Sequence, residues 1–287
     1  MVSADTLAAV RLPSDFQFSQ VSLGDFVECK RRFQLRYLWK LSWPAVQSEP
    51  YADHENAMQR GVLFHRLAQQ FLEGVPKEQL SRMIEDDLLA AWWDSFIEQV
   101  DFIKPDRMSK RYTEVTLSTR LAGYRLVGKF DLLVVHKDCK LTIVDWKTSQ
   151  FRPRRDWLKK RMQTHVYPYL LVLAGASLIQ NSLTPEQVEL LYWYPNYPTQ
   201  AVSFEYDQDQ YQKDDDYLKG LVKSIEALDS DAYDLTNDEK SCRFCVYRSL
   251  CDRGVQAGSL SEVEDELVDE ELVELMMDFD RVGEIEF

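Results

Sequence analysis

Asp131, Asp145 and Lys147 are the residues of this 287-residue chain whose types and spacing point most directly to chemistry. Asp131 heads the apolar run Leu132–Val135, and Asp145 ends the run that begins at Leu141. The polar stretch His136–Lys140 separates them, so the two runs read as a β-hairpin with a five-residue connection. Pairing Val135 with Leu141 sets a register that puts Asp131 directly opposite Asp145. Opposed side chains share a face with Cβ atoms about 4.5–5.5 Å apart, and like charges there repel unless something positive lies between them. Lys147, two residues on, points to the same face by the strand period. Two carboxylates and an amine so placed describe a divalent-metal site with a cation poised over a bound water, which is a hydrolase's arrangement. The competing reading is a solvated surface hairpin, because Asp, a spacer and Asp-x-Lys recur by chance.

The elements that must hold these groups follow from periodicity. Residues 1–18 read as a loosely held arm. Ser22 and Asp25 resemble a helix start, and that helix carries Phe26, Cys29, Phe33, Tyr37 and Leu41 on one side until Pro44. A second helix, Glu55–Glu73, closes at Gly74 and holds Gly61 and His65 one turn apart. His65 is open to two readings, a satisfied core histidine or a metal ligand. A third helix, Lys77–Val100, sends Trp92, Trp93 and Phe96 to the core. The period then changes to two, giving antiparallel strands at Tyr112–Thr119, Tyr124–Val135 and Leu141–Thr148. Glu114, in the first of these, either faces the site or is solvated.

A basic segment follows: Arg152, Arg154, Arg155, Lys159, Lys160 and Arg161, with Trp157 among them. A charge run is commonly a solvated face, but its place just after the candidate site favours phosphate contact. The next helix carries Gln163 and Tyr167 one turn apart, then Pro168, which should kink or restart it. Gln187–Tyr194 and Ala201–Tyr206 read as two more strands, and Gln208–Leu228 as a helix. Tyr192, Trp193, Tyr194 and Tyr197 are divided between base stacking and core packing.

Net charge is −14, of which residues 261–287 contribute −11, so the body is near neutral and the tail carries the acid. The domain therefore reads as 19–256, followed by a flexible acidic tail at 257–287 that solubilises, covers the basic groove or docks a partner. The first 18 residues hold no sustained apolar stretch, and the run Val166–Ile179 is too short to span a bilayer, so the expectation is a cytoplasmic protein with no membrane contact. In that compartment cysteines are expected as ligands or buried thiols rather than disulfides. No phosphate-binding G-x-x-x-x-G-K-[ST] loop is present, so a separate helicase would have to feed the chain long duplex ends.

Cys242-x2-Cys245-x5-Cys251 supplies three thiols, one short of a closed zinc or iron–sulfur site. Cys29 is the candidate fourth, with Cys139 the alternative. Together, Cys29, Gly61-x-x-x-His65, Gly128-x-x-Asp131, Asp145-x-Lys147, Gln163-x-x-x-Tyr167 and the cysteine cluster resemble the PD-(D/E)xK phosphodiesterase superfamily. Within it they are similar to the RecB-like branch with an iron–sulfur staple, which includes the AddB nuclease domain and CRISPR-associated exonucleases. Residues 18–254 carry the likeness.

The resemblance implies a restriction-endonuclease-like α/β core: a central mixed β-sheet flanked by helices, an N-terminal helical insertion and a C-terminal iron–sulfur segment. It implies Mg²⁺ or Mn²⁺ held by Asp131, Asp145 and the Trp146 carbonyl, with His65 a further ligand favouring Mn²⁺. Lys147 would activate water and stabilise charge on the phosphorane, and Gln163 and Tyr167 would position the lysine, the water or DNA. Cys29, Cys242, Cys245 and Cys251 would ligate a structural 4Fe–4S cluster, with zinc the alternative. Many relatives carry Glu where this chain has Asp145. The expected function is metal-dependent DNA hydrolysis at ends or single strands, in DNA repair, recombination or foreign-DNA processing beside CRISPR proteins. The alternative is a non-cutting DNA-binding adaptor that retains the fold.

Overall fold

The computed structural model describes residues 11–41, 49–100, 110–149, 152, 154–230, 232–242 and 245–254. Pro44 and the acidic tail from 257 onward lie outside them. Six strands form one mixed sheet: β1 Gln17–Phe18, β2 Lys110–Leu121, β3 Tyr124–Val135, β4 Leu141–Trp146, β5 Val188–Trp193 and β6 Val202–Glu205. Helices α1 Gln20–Glu28, α2 Lys30–Phe33, α3 Glu49–Leu72, α4 Lys77–Ser81, α5 Asp87–Gln99, α6 Arg155–Leu158, α7 Met162–Ala174, α8 Ala176–Ile179 and α9 Gln208–Glu226 flank it. One face packs on α7 and α9 through Leu126, Phe130, Leu133, Ile143, Leu170 and Leu218. The other packs on α3 and α5 through Phe64, Leu67, Trp92, Trp93, Phe96, Leu132, Val134 and Trp146.

β3 is the spine. β2 runs antiparallel along one edge of it, joined through a tight turn in which Ala122 (φ 49°) and Gly123 (φ 94°) are both left-handed, as a primed hairpin turn requires. On the other edge two strands share the length: β1 pairs in parallel at Arg125–Leu126, and β4 pairs antiparallel at Leu132–Val135. The strands divide between those two stretches and leave residues 127–131 of this edge outside either ladder. Beyond β4 the parallel β5 and antiparallel β6 complete the sheet. Ligand sites in α/β sheets gather in such crevices at the carboxyl ends of strands. Asp131 and Asp145 both lie at this one.

Several boundaries differ from those read from periodicity, each for a local reason. Phe18, placed in the arm, is buried in the sheet as part of β1. α1 starts at Gln20 with Ser19 as its cap: Ser19 and Ser22 exchange the reciprocal bonds of a capping box, so Ser22 is the third helical residue. The long helix predicted from there breaks at Cys29, which is extended (φ −157°, ψ 105°) and caps α2, and a π-helical turn Gln34–Leu38 follows. Asp25 therefore lies past the first turn of α1; fully buried, it pairs with Arg32 (2.6 Å) and Arg36 (2.5 Å) and accepts from Tyr37 (3.0 Å). The third predicted helix divides into α4 and α5, because Asp86 caps a new start with a bond from the Leu89 N–H (2.8 Å). α7 runs through Pro168 without restarting.

α7 lies close on β3 because position 128 is glycine. A Cβ there would meet Leu170 Cδ2 at 2.8 Å and Tyr167 Cε1 at 3.6 Å. Gly128→Ala must displace the fully buried Leu170, so we expect a loss of about 1–3 kcal/mol in a urea titration at unchanged m-value.

Candidate metal and catalytic site

The expected hairpin register holds: Val135 pairs with Leu141 and Leu132 with Val144. There the ladder stops, and Asp131 and Asp145 do not complete a regular pair. The Asp131 carboxylate instead accepts the backbone N–H of Trp146 (2.9 Å). On the far side of β3, pairing with β2 also skips one position, between Thr113↔Leu132 and Val115↔Phe130. The skipped residues are Glu114 and Asp131, and Glu114 has φ 51°. A left-handed conformation costs a non-glycine residue roughly 1–2 kcal/mol.

The core-facing alternation slips at the same place. Phe130 and Leu133 share one face of the sheet although they are three residues apart, while Leu132 packs on the other. Asp131 thus sits in an irregularity of both strands rather than on the face that strict alternation assigns it.

The slip gathers a cluster on Asp131. His65 of α3 lies 3.2 Å away through Nδ1, and one ligand atom each from His65, Glu114 and Asp131 lie within 4.8 Å of one another. Glu114 is paired with Lys129. Burial alone would lower the His65 pKa, but Asp131, with Asp145 and Glu114 further off, outweighs it and raises the imidazole above 6.5. Burial pushes the Asp131 carboxyl up, yet His65, the Trp146 N–H and Lys147 outweigh it and hold the group below 3.8. Burial, then repulsion from Asp131, raises Glu114.

These directions give a pH expectation for the metal-free protein. The His65 contribution to stability is complete below the unfolded value of 6.5 and is lost as pH rises through the higher folded value. The Asp131 contribution is complete above 3.8 and is lost as pH falls through the lower folded value. Melts of metal-free wild type and His65→Asn should therefore differ most between those two values and converge as the solution becomes alkaline.

Asp145 and Lys147 form the second part of the site. Asp145 continues the parity of Leu141 and Ile143, which face α7. Lys147 Nζ lies 2.7 Å from Asp145 Oδ2 and donates to Gln163 Oε1 (2.7 Å); Gln163 Nε2 donates to Asp145 Oδ1 (2.6 Å). All three are buried, and the ammonium sits 5.4 Å from the Tyr192 ring. Backbone pairing carries on past β4, with the Lys147 N–H bonded to the Trp193 carbonyl (2.8 Å), which fixes where the lysine leaves the sheet. The hydroxyl of Tyr167, one turn beyond Gln163, donates to the Lys129 carbonyl (2.7 Å) and anchors β3 beside Asp131.

The motif Asp-x-Lys at the end of one strand, an acid on its neighbour and a glutamine from the helix behind are now in one place. A family model for the PD-(D/E)XK nuclease superfamily matches residues 17–252. The chain belongs to that superfamily. Among solved structures, this PD-(D/E)XK chain is similar to SSO0001, with 15% identity over 86% of this chain and 90% of that one, at a TM-score of 0.40. It is also similar to a provisionally assigned exonuclease from Eubacterium rectale, with 11% identity over 80% and 89% of the two chains, at a TM-score of 0.49. No curated protein matches it in sequence.

Two members of this PD-(D/E)XK site were not assigned from the sequence. Alternation leaves Glu114 between the site and solvent, and no spacing signal marks Lys129, its partner. The signal for Glu114 was present in the Ala122–Gly123 turn, whose register places Glu114 opposite Asp131.

The other predicted groups are placed as follows. Cys242, Cys245 and Cys251 are electrostatic neighbours of Cys29, so the fold unites the four thiols across the chain. Burial raises all three, Cys251 to about 11. Cys139 is exposed in the hairpin loop. Arg152, Arg154, Arg155, Lys159 and Lys160 are exposed and Arg161 is half-buried. Arg152 and Arg155 also bond the carbonyls of Gln200 (3.0 Å) and Ser203 (2.5 Å). Tyr192, Trp193 and Tyr194 are fully buried and belong to the core, which rules them out as base-stacking surfaces. No helix among the described residues is long and apolar enough to cross a membrane.

Proposed function

We propose that the protein is a metal-dependent DNA nuclease that hydrolyses phosphodiester bonds at ends or in single strands. The observation that supports this best is the junction at Trp146: its N–H binds Asp131, and the residues on either side of it, Asp145 and Lys147, form the buried triad with Gln163. His65, Glu114 and Asp131 offer one imidazole and two carboxylates, a donor set suited to Mn²⁺ or Mg²⁺. Their ligand atoms lie within 4.8 Å of one another, close enough to meet on one cation. Asp145 and the Trp146 carbonyl are the further ligands in this reading. What a divalent cation supplies there is Lewis acidity toward a phosphate oxygen and a more acidic water.

The protein's own part is positioning and charge. Asp145 and Gln163 hold the Lys147 ammonium at a defined point, from which it orients the attacking water and offsets charge gathering on the phosphorane. Tyr167 keeps β3 in place through the Lys129 carbonyl. The basic segment of residues 152–161 contacts the phosphodiester backbone.

Within the superfamily the likeness is to the RecB-like iron–sulfur branch, and the four thiols are the reason. Four thiolates suit a structural 4Fe–4S cluster, with zinc the alternative. The cluster would tie α1 and α2 to the C-terminal segment, which the protein already joins through the Gln34 bond to Ser230 (2.7 Å), the Arg31 bond to Asp234 (3.2 Å) and the Tyr247 bond to Leu41 (2.8 Å). Anaerobic purification with a visible absorbance spectrum, then digestion of end-labelled single- and double-stranded DNA with Mg²⁺ or Mn²⁺, tests the reading. A wild-type protein that binds DNA without cutting it overturns the nuclease in favour of the adaptor.

A further inference from the structure

A cleft of about 190 Å³ opens between α1, the turn joining α6 to α7, and α9. Val21, Val27, Trp157, Lys160, Arg161 and Tyr217 line it. Its wall also includes Gln163, the side chain whose amide holds both Lys147 and Asp145. Anything seated in the cleft therefore abuts the group that sets the position of the lysine.

The lining specifies the occupant. Val27 and Tyr217 are 52% and 42% exposed, and this apolar surface turned toward the cleft favours a flat apolar guest. Trp157 is an aromatic wall with the Arg161 guanidinium 4.7 Å from its ring centroid, and Lys160 stands beside it, exposed. Aromatic rings interleaved with cations match a nucleic-acid strand, whose bases stack while its phosphates meet the charges. The acidic member of the lining, Glu28, is paired with Arg32. The volume equals roughly six waters at liquid density, space for a single heterocycle.

We infer that this cleft receives one unpaired base of the substrate, next to the phosphate being cut, so that the enzyme requires single-stranded or frayed DNA. The inference rests on the nuclease function proposed above. Stacking of this kind tolerates any base, so it selects strandedness rather than sequence.

The test uses the full chain carrying Lys147→Met, which holds DNA without cutting it, and a labelled single-stranded oligonucleotide with one abasic position moved stepwise along it. One position, beside the cut mapped with wild type, should weaken binding about tenfold. Val27→Trp, which fills the cleft from its exposed rim, should bind the intact strand about tenfold more weakly and show no further loss at that position. Tyr217→Ala should behave alike. A blunt duplex should bind at least tenfold more weakly than the strand. The inference is overturned if no position is sensitive, if the abasic loss persists undiminished in Val27→Trp, or if the duplex binds equally well. Wild-type digestion in parallel separates the two claims. Cutting without a sensitive position removes the cleft and keeps the nuclease, while a sensitive position with no cutting under either metal does the reverse.

Discussion

Asp131→Asn is expected to abolish both Mn²⁺ binding and DNA hydrolysis, whereas Lys147→Met abolishes hydrolysis and leaves Mn²⁺ binding within a fewfold of wild type. Asp131 is the point where the parts of the site meet, bonded to Trp146 on one side and paired with His65 on the other. An amide keeps the shape and one bond to the Trp146 N–H but discards the charge. It leaves Glu114 as the remaining carboxylate of the described cluster. Lys147 touches Asp145, one of the proposed ligands, and Gln163, and its loss leaves the His65, Glu114 and Asp131 donors in place. Each substitution should lower the rate by about 10²–10⁴, the range for losing a group that moves protons or stabilises developing charge. Lys147→Met also strands a buried Asp145 carboxylate, and a stability loss of about 3–5 kcal/mol should accompany it. Calorimetry with Mn²⁺ beside digestion of end-labelled DNA reads both effects. An Asp131→Asn protein that cuts within tenfold of wild type removes the metal site from the argument.

The second large effect is expected from Cys245→Ser. Loss of one thiolate should remove the visible absorbance and lower the melting temperature by about 10–20 °C. The size follows from topology: a link from Cys29 to the C-terminal cluster closes a loop of roughly 200 residues, worth about 5 kcal/mol in chain entropy. Cys139→Ser is the control. That thiol is exposed in the hairpin loop, and its replacement should move neither quantity. Equal melting temperatures for Cys245→Ser and wild type, with the absorbance retained, would exclude Cys245 as a ligand.

Much of this architecture was legible in the order of residues. While the pairing of Gln163 with the Asp-x-Lys strand is implied by the family resemblance, the hairpin register around Asp131 and Asp145, the strand Tyr124–Val135, and the cores around Trp92, Trp93 and Phe96 follow from local periodicity and spacing. These are short-range properties, set by the alternation of apolar groups and by turn length. What periodicity cannot see is where alternation fails. The slip at Glu114 and Asp131 lies where β1 and β4 divide one edge of β3 between them, an arrangement that exists only once strands distant in sequence have docked. The same limit applies to Tyr167: its place on a helix face with Gln163 does not tell that its hydroxyl meets the Lys129 carbonyl of β3.

The ordered set of motifs, from Gly61-x-x-x-His65 through Asp145-x-Lys147 to Gln163-x-x-x-Tyr167, carried the likeness to the superfamily, and Asp-x-Lys after an apolar run located the acids and the amine. Tertiary structure decided that Glu114 joins His65 and Asp131, that Cys29 lies near Cys242, Cys245 and Cys251 while Cys139 is exposed, and that Tyr192, Trp193 and Tyr194 are core. Each of those outcomes depends on which distant surfaces exclude water together, and no stretch of chain specifies that by itself.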